Sequence, residues 1–342
     1  MLDTKLLTEK LERIRIENNI AGMSVAVTDV NGVLYKAGFG YENSMRPEVP
    51  AYPDAMYKIA SMTKTITSAV ILRLCQEGVL NLDTPIKQYL PWLKLSRPEA
   101  EETMTLRHLL THTAGLPKDD YLPEGTRDEN SIDDAIKATI PTLPMASLPG
   151  EGVYCYANWG YNLAANIATT ITGKTLTALY KAYILDPVGM DRTTFDFHIA
   201  ATYPLSLPHE KLQVVHYQRA NMAYAGGGGL YSCAEDMCKW ARCLLRGGVT
   251  DSGERLLTEE SFGDMCHKHT PRTTDPGSFY GLGMFVRPYK DRYIYGHNGN
   301  YDPYNSSIFV DHKTGLGMVV LMNSHAPDCR TGIVEMILDM VD

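Results

Sequence analysis

Ser61 and Lys64 are the residues of this sequence whose types and spacing most directly suggest chemistry. They stand three apart in an apolar, helix-prone run, and residues three apart on a helix are neighbours on one face. A serine hydroxyl becomes a strong nucleophile when a nearby group takes its proton, and a lysine amine can do so when burial or positive charge lowers its pKa. The pair predicts a nucleophile and its base near the start of a helix over about 61–77. A helix-capping serine followed by a solvated lysine is the alternative that the short motif leaves open.

A second pair of candidate residues, Tyr156 and Asn158, lies in a polar, aromatic-rich loop before a helical pattern that starts near Gly160. A phenol held near an ammonium group is favoured as phenolate, so Tyr156 could relay a proton between nucleophile and leaving group. Asn158 could hold a substrate amide through its side chain. A buried loop tyrosine and a turn asparagine are the structural alternative.

The third candidate group, His297 to Asn300, follows a short predicted strand over 292–295 and Gly296. Glycine here allows close backbone approach, and the amide of Asn300, just beyond Gly299, could supply one donor of an oxyanion hole. The other donor would be the backbone amide of Ser61. Taken alone, the pattern also fits a turn with an incidental histidine.

Composition limits the kinds of partner that this chain can have. Its 342 residues include 32 Lys and Arg against 40 Asp and Glu, for a net charge of -8. Basic blocks interleaved with aromatics are absent from the sequence, which argues against nucleic acid as a partner. The first ten residues alternate charge with leucine, so we expect an amphipathic helix, no export signal and no membrane anchor. Seven cysteines, an odd number in mostly apolar runs, favour a reducing compartment and a cytoplasmic location.

Two cysteine-containing groups resemble metal sites only superficially. Cys233, Cys238 and Cys243 recur every five residues, a spacing that matches neither a zinc ribbon nor one helical face and indicates core packing. The cysteine and two histidines within 266–269 have no further ligands at a closing spacing, so we interpret them as a polar loop. The sequence therefore implies no metal and no organic cofactor.

The order of the predicted elements indicates an α+β fold, in the broad sense an α/β protein. An N-terminal hairpin is predicted over 22–29 and 33–38, joined at Val30-Asn31-Gly32, where Asn-Gly would supply the positive φ of a tight turn. Alternating segments near the other end of the chain cover 281–287, 292–295, 306–310 and 317–322, with helices over 234–246 and 331–340. We expect one antiparallel sheet built from both ends of the chain and flanked by terminal helices. Prolines break the helical patterns between these ends, so residues 76–199 are predicted as a helical domain inserted between 1–75 and 200–342, with the site in the cleft.

In this order and at these wide spacings, Ser61-x-x-Lys64, Tyr156-x-Asn158 and His297-x-Gly299 resemble the three motifs of the penicillin-recognising serine hydrolases. That family includes class C β-lactamases, DD-peptidases and related esterases, D-aminopeptidases and amidases. The resemblance spans nearly the whole chain. Supporting stretches are Leu106 to Pro117, Gly227 to Ser232 before Asp236, and Gly315 to Gly317.

The resemblance implies a β-lactamase/transpeptidase-like fold and a serine hydrolase acting on a small ester, amide or short peptide. If the residues at the matching positions have the same roles as in the family, Ser61 attacks a carbonyl and forms an acyl-enzyme, while Lys64 and Tyr156 share the base and acid roles. Asn158 would orient the substrate, and the amides of Ser61 and Asn300 would stabilise the oxyanion. Which of the lysine and the tyrosine takes the first proton stays open, as does the oligomeric state.

The third motif departs from the β-lactamase pattern. In β-lactamases and DD-peptidases it usually begins with lysine, whose charge helps bind the substrate carboxylate, whereas His297 is mostly neutral at pH 7 unless perturbed. A histidine at this position resembles the esterase, aminopeptidase and amidase branches of the family. The alternatives are acyl transfer to a specific acceptor, a true β-lactamase or DD-peptidase activity, and a catalytically idle binding module.

Three acidic residues suggest what the substrate carries. Asp119 and Asp120 follow a stretch that in class C enzymes overlooks the acyl side chain of the substrate, and Asp302 lies just past the predicted oxyanion strand. One or more of them could bind a substrate ammonium group, as in an amino acid amide. Exposed loop carboxylates are the alternative.

Overall fold

The computed structural model describes residues 2–118, 132–215 and 225–342. Its strands are β1 (Gly22–Thr28), β2 (Val33–Gly40), β3 (Tyr57–Lys58), β4 (His209–Glu210), β5 (Gln213–Val214), β6 (Tyr231–Ser232), β7 (Thr270–Pro271), β8 (Phe279–Tyr280), β9 (Phe285–Tyr289), β10 (Arg292–Tyr301), β11 (Tyr304–Asp311) and β12 (Leu316–Met322). Eight of these strands form one antiparallel sheet in the order β2-β1-β12-β11-β10-β9-β8-β7. Strands from both ends of the chain thus share one antiparallel sheet, as predicted, because β1 pairs with β12.

Helices cover both faces of this sheet. They are α1 (Thr4–Glu17), α2 (Thr63–Gln76), α3 (Leu106–Leu110), α4 (Ile132–Thr139), α5 (Asn158–Thr172), α6 (Leu176–Tyr180), α7 (Asp186–Val188), α8 (Phe197–Ala200), α9 (Ala225–Gly228), α10 (Ala234–Leu245), α11 (Glu259–Cys266) and α12 (Pro327–Asp339). The terminal helices α1 and α12 pack together and against the sheet, and α10 packs on β1, β11 and β12. Every residue of these three strands is buried, which requires cover on both sides.

Shorter helical turns complete the chain. The 3-10 turns are Ala60–Met62, Ile86–Gln88, Pro98–Ala100 and Ile140–Thr142, and a π-helical turn covers Lys181–Leu185. Helices α2, α5 and α9 pack against one another beside the sheet. The domain boundaries at 75 and 199 stay a prediction. Within the described ranges, the helices are too short or too polar to cross a membrane.

The β1–β2 hairpin forms as predicted, but its turn works differently. The predicted positive φ of Asn31-Gly32 is wrong, because neither residue is in the left-handed region. Instead the Asp29 carboxylate accepts hydrogen bonds from the amides of Asn31 at 2.7 Å and Gly32 at 3.0 Å. The aspartate side chain organises the turn, a local bonding pattern typical of Asx turns.

Strand β10 is longer than the sequence predicts. The predicted strand ended at 295 and left a turn at His297 open as an alternative, whereas β10 continues to Tyr301 and pairs through this stretch with β11. Glycines at 296 and 299 look like strand breakers, but close packing requires them. A Cβ at Gly296 would lie only 1.9 Å from the Ile308 carbonyl oxygen. Glycine here therefore permits close backbone approach inside a sheet.

Two helices begin at other residues than predicted. A 3-10 turn over Ala60–Met62 contains Ser61, and α2 follows from Thr63. Helix α5 begins at Asn158 instead of near Gly160. The cysteine interpretation agrees with the structure, since Cys233, Cys238 and Cys243 are all buried at the start of α10 or within it.

Candidate active site

Ser61 lies in a turn that other parts of the chain hold firmly. Ala60, just before it, has a φ of 50°, a left-handed conformation that is costly for a residue with a Cβ. The amide of Ile59 donates to the carbonyl oxygen of Leu230 at 3.1 Å. The amide of Leu230 in turn donates to Thr63 Oγ1 at 3.2 Å. The turn that presents the serine is therefore anchored to the chain that follows α9.

Lys64 is fully buried and its amine binds three oxygen atoms. Nζ lies 2.9 Å from Ser61 Oγ, 2.7 Å from Asn158 Oδ1 and 2.5 Å from the Gly227 carbonyl oxygen. All three oxygens are uncharged. The structure thus brings together the serine, the lysine and the asparagine that the motifs predict.

Gly227 is a partner of the lysine that the sequence motifs did not identify. Its amide donates to Asn162 Oδ1 at 2.9 Å, so α5 fixes the carbonyl that faces Lys64. A Cβ at this position would lie 3.1 Å from Asn162 Oδ1 and 3.2 Å from the Asn158 carbonyl oxygen. The sequence signal for this residue is the run of glycines that opens the supporting stretch Gly227 to Ser232.

Tyr156 lies beside the lysine, two residues before α5. Lys64 Nζ is 4.9 Å from the centre of the Tyr156 ring, within the range of cation–π attraction. The ring of His112 lies 4.2 Å from that of Tyr156, centre to centre. The tyrosine is thus packed between a buried amine and a buried imidazole.

His297 is a buried, neutral imidazole. A carbonyl oxygen can only accept, so Nδ1 donates to Asn298 O at 2.5 Å, and Nε2 accepts from the Tyr280 hydroxyl at 2.9 Å. The ring stacks on Phe285 at 4.2 Å. Burial lowers the pKa of His297 well below its usual value, and the nearby Lys64 charge lowers it further. The structure therefore places no permanent positive charge at this position of the third motif.

Gly299 brings strand β10 against the turn that carries the serine. A Cβ at this position would lie 2.3 Å from the Ile59 carbonyl oxygen and 2.1 Å from Ser306 Oγ. The two-residue loop after Tyr301 makes Tyr301 and Tyr304 the closing pair of the β10–β11 hairpin. Since ladder hydrogen bonds alternate along an antiparallel strand, we infer that the Asn300 amide points away from β11.

Of the three acidic candidates, Asp302 alone lies within the described residues. Asp119 and Asp120 lie outside the described residues. The side chain of Asp302 is 70% exposed and lies 2.9 Å from His325 Nδ1. A role for these residues in binding a substrate ammonium stays a prediction. Over residues 2–118, 132–215 and 225–342, no group of three or more His, Cys, Asp or Glu side chains is placed to hold a metal ion.

Comparison with known families agrees with this geometry. The beta-lactamase family model matches residues 5–333, nearly the whole chain. The chain therefore belongs to the beta-lactamase family, which confirms its resemblance to the penicillin-recognising serine hydrolases.

Curated relatives are similar to this chain at moderate identity. It is 27% identical over 313 residues to Protein flp of Staphylococcus aureus strain MW2, covering 90% of this chain and 60% of that protein. It is 26% identical over 328 residues to the unguisins hydrolase ungD' of Aspergillus campestris, covering 90% of this chain and 59% of that protein. The chain thus spans only about 60% of the length of these relatives.

Solved structures share its fold. The octameric penicillin-binding protein homologue from Pyrococcus abyssi has a TM-score of 0.84 at 25% identity, covering 99% of this chain and 78% of that one. The D-amino acid amidase from Ochrobactrum anthropi SV3, solved with L-phenylalanine, has a TM-score of 0.80 at 22% identity, covering 98% of each chain. The predicted β-lactamase/transpeptidase-like fold is confirmed.

Proposed function

We propose that this protein is a serine hydrolase that cleaves a small ester, amide or short peptide through an acyl-enzyme on Ser61. The observation that carries the proposal is the 2.9 Å contact between Lys64 Nζ and Ser61 Oγ, made by a fully buried amine. No metal or organic cofactor enters the proposed chemistry.

The other two contacts of the lysine direct its lone pair. The Asn158 amide oxygen and the Gly227 carbonyl can only accept hydrogen bonds, so each takes one N–H of the amine. A neutral amine has two N–H groups and one lone pair. The ammonium form donates its third N–H to Ser61 Oγ. Once the amine has lost that proton, the other two N–H groups stay engaged, so the lone pair faces Ser61 Oγ and can accept its proton as the serine attacks a carbonyl carbon.

Tyr156 supports the second half of this proton transfer. Its ring lies against the lysine amine, so the phenol can pass a proton to the leaving group as the carbonyl–leaving-group bond breaks. Water then attacks the ester formed on Ser61 and gives a proton to the lysine–tyrosine pair. The pair passes this proton to Ser61 Oγ as the acyl–oxygen bond breaks, which releases the acid and restores the serine hydroxyl. The backbone amides of Ser61 and Asn300 are the proposed donors to the oxyanion in both steps.

The third motif supports an esterase or amidase rather than a β-lactamase. Because His297 is buried, neutral and bonded on both nitrogens, it offers no fixed charge for a substrate carboxylate. Two similar proteins, one named as a D-amino acid amidase and one as an unguisins hydrolase, are compatible with this substrate class.

A labelling and turnover experiment tests the proposal. The protein is treated with a fluorophosphonate and assayed on p-nitrophenyl esters, on D- and L-aminoacyl p-nitroanilides and on a chromogenic cephalosporin. We expect labelling and turnover of an ester or anilide, both lost in Ser61→Ala. Ser252→Ala, which changes an exposed turn serine, is the matched control and should behave as the parent. Absence of labelling and turnover would contradict the enzyme proposal, and rapid cephalosporin hydrolysis would overturn the interpretation of His297.

A further inference from the structure

His112 occupies an unusual position directly behind the proposed site. It follows the short helix α3, is only 2% exposed, and has a φ of 59°. A left-handed backbone is uncommon for a residue with a Cβ, and such residues cluster where the surrounding structure enforces them. Its ring contacts the rings of Tyr154, Tyr156, Tyr161 and Tyr280.

The hydrogen bonds of His112 bracket Tyr156 on both sides. The amide of Cys155 donates to the His112 carbonyl oxygen at 2.8 Å. The amide of Ala157 donates to His112 Nδ1 at 3.1 Å. The imidazole also packs on the Tyr156 ring at 4.2 Å with an interplanar angle of 38°. One residue therefore holds the backbone before and after the tyrosine as well as its ring.

This arrangement requires a neutral imidazole. Nδ1 accepts a hydrogen bond from a backbone amide, so it carries no proton, and the proton is on Nε2. Burial, with the Lys64 charge as a further cause, holds the pKa of His112 well below its usual value. The bond to Ala157 therefore persists through neutral pH.

We propose that His112 is a positioning residue that sets the place of Tyr156 relative to Lys64 through its Nδ1 bond to the Ala157 amide. The inference rests on the proposed function, because it assigns His112 an effect on turnover through the proton relay of Tyr156. Proton transfer requires donor and acceptor within hydrogen-bond reach, and a misplacement of about 1 Å can lower the rate about 100-fold.

Two substitutions separate the hydrogen bond from the ring. His112→Asn keeps an acceptor, since Oδ1 of asparagine occupies the place of Nδ1, and asparagine tolerates the left-handed backbone. His112→Phe keeps a ring and removes the acceptor. We expect kcat of His112→Phe to fall roughly 10- to 100-fold with little change in KM, and His112→Asn to restore most of it. Rates are normalised to fluorophosphonate-reactive protein, so that loss of folded enzyme does not count as loss of kcat.

A double-mutant cycle with Tyr156→Phe distinguishes positioning from general destabilisation. If His112 acts through the tyrosine, Tyr156→Phe lowers kcat much less in the His112→Phe background than in the parent. His209→Asn is the control, because His209 is also fully buried and accepts a backbone amide hydrogen bond, from Ser44 at 3.0 Å. This control should lower stability and leave the normalised kcat unchanged.

Each outcome decides between the two proposals. Additive effects in the cycle, or equal kcat in the asparagine and phenylalanine variants, would overturn the role of His112 and leave the proposed function intact. Full activity in Ser61→Ala would instead overturn the proposed function itself.

Discussion

Lys64 concentrates the proposed chemistry in one side chain. Its amine meets the nucleophile, an amide oxygen and a backbone carbonyl, all within hydrogen-bond distance. These three partners are uncharged, so none of them favours the ammonium form as strongly as a carboxylate in the same place would. The identity of residue 158 should therefore control the pH at which the lysine can act as a base.

Asn158→Asp tests this control. A carboxylate beside Lys64 favours the ammonium form and raises its pKa, so the neutral amine becomes available only at higher pH. We expect lower kcat/KM at pH 7 and an ascending limb of the pH profile that moves to higher pH than in the parent. Asn31→Asp, which adds the same charge at an exposed turn, should leave the profile in place. An unmoved limb in Asn158→Asp would mean that the lysine is not the titrating base.

Strand β10 is the element that couples the sheet to the nucleophile. At Gly299 its backbone approaches the Ile59 carbonyl so closely that a methyl group cannot fit without movement. The Ser306 hydroxyl donates to the same carbonyl at 2.8 Å, so β11 also holds this turn. The strand, and not a loop, thus positions one wall of the proposed site.

Gly299→Ala is expected to damage both activity and stability. The added Cβ would lie 2.3 Å from the Ile59 carbonyl oxygen, so the strand or the turn with Ser61 must shift. We expect a loss of about 1–3 kcal/mol in the free energy of unfolding, as for overpacked cores, and a larger relative loss of kcat/KM. Gly32→Ala is the control, since an added Cβ there meets nothing within 4 Å. Parent-like kinetics in Gly299→Ala would show that close contact here is unnecessary for turnover.

Two buried lysine amines, those of Lys58 and Lys64, donate hydrogen bonds to backbone carbonyls of one glycine-rich segment. Besides Lys64 on Gly227, Lys58 is 1% exposed, donates to the Gly229 carbonyl at 2.5 Å and lies 4.2 Å from the centre of the Tyr231 ring. Burial lowers the pKa of Lys58 to about 7. Burying this amine in its charged form costs stability, so the free energy of unfolding must depend on pH.

The sign follows from proton binding. Between about pH 7 and 10.5 the unfolded chain keeps the Lys58 proton that the folded chain loses, so this residue makes stability rise with pH in that window. We expect Lys58→Met to have a higher free energy of unfolding in urea than the parent at pH 7, because it buries no charge. This difference in free energy should shrink by about 1–2 kcal/mol from pH 7 to pH 8.5. Comparing variant with parent cancels the titration of other groups. Lys5→Met, at an exposed position of α1, should show no such change, and a pH-independent advantage in Lys58→Met would contradict the prediction.

Short-range patterns in the sequence predicted most of the main strands and helices, although the β1–β2 turn, the end of β10 and the starts of α2 and α5 differ from the prediction. Alternation predicted the N-terminal hairpin and the C-terminal strands, and the spacing of Ser61 and Lys64 predicted their contact, because neighbours on one helical turn meet without help from the rest of the fold. The ordered motifs were enough to indicate the family.

Tertiary structure alone decided how those parts work together. The partners that direct the Lys64 amine are 94 and 163 residues away in sequence, and no local periodicity reports such contacts. The neutrality of His297, the extension of β10 through two glycines and the bracketing of Tyr156 by His112 likewise arise where separate elements bury one another. Burial and close backbone approach set charge state and orientation, and both depend on the neighbours that folding supplies.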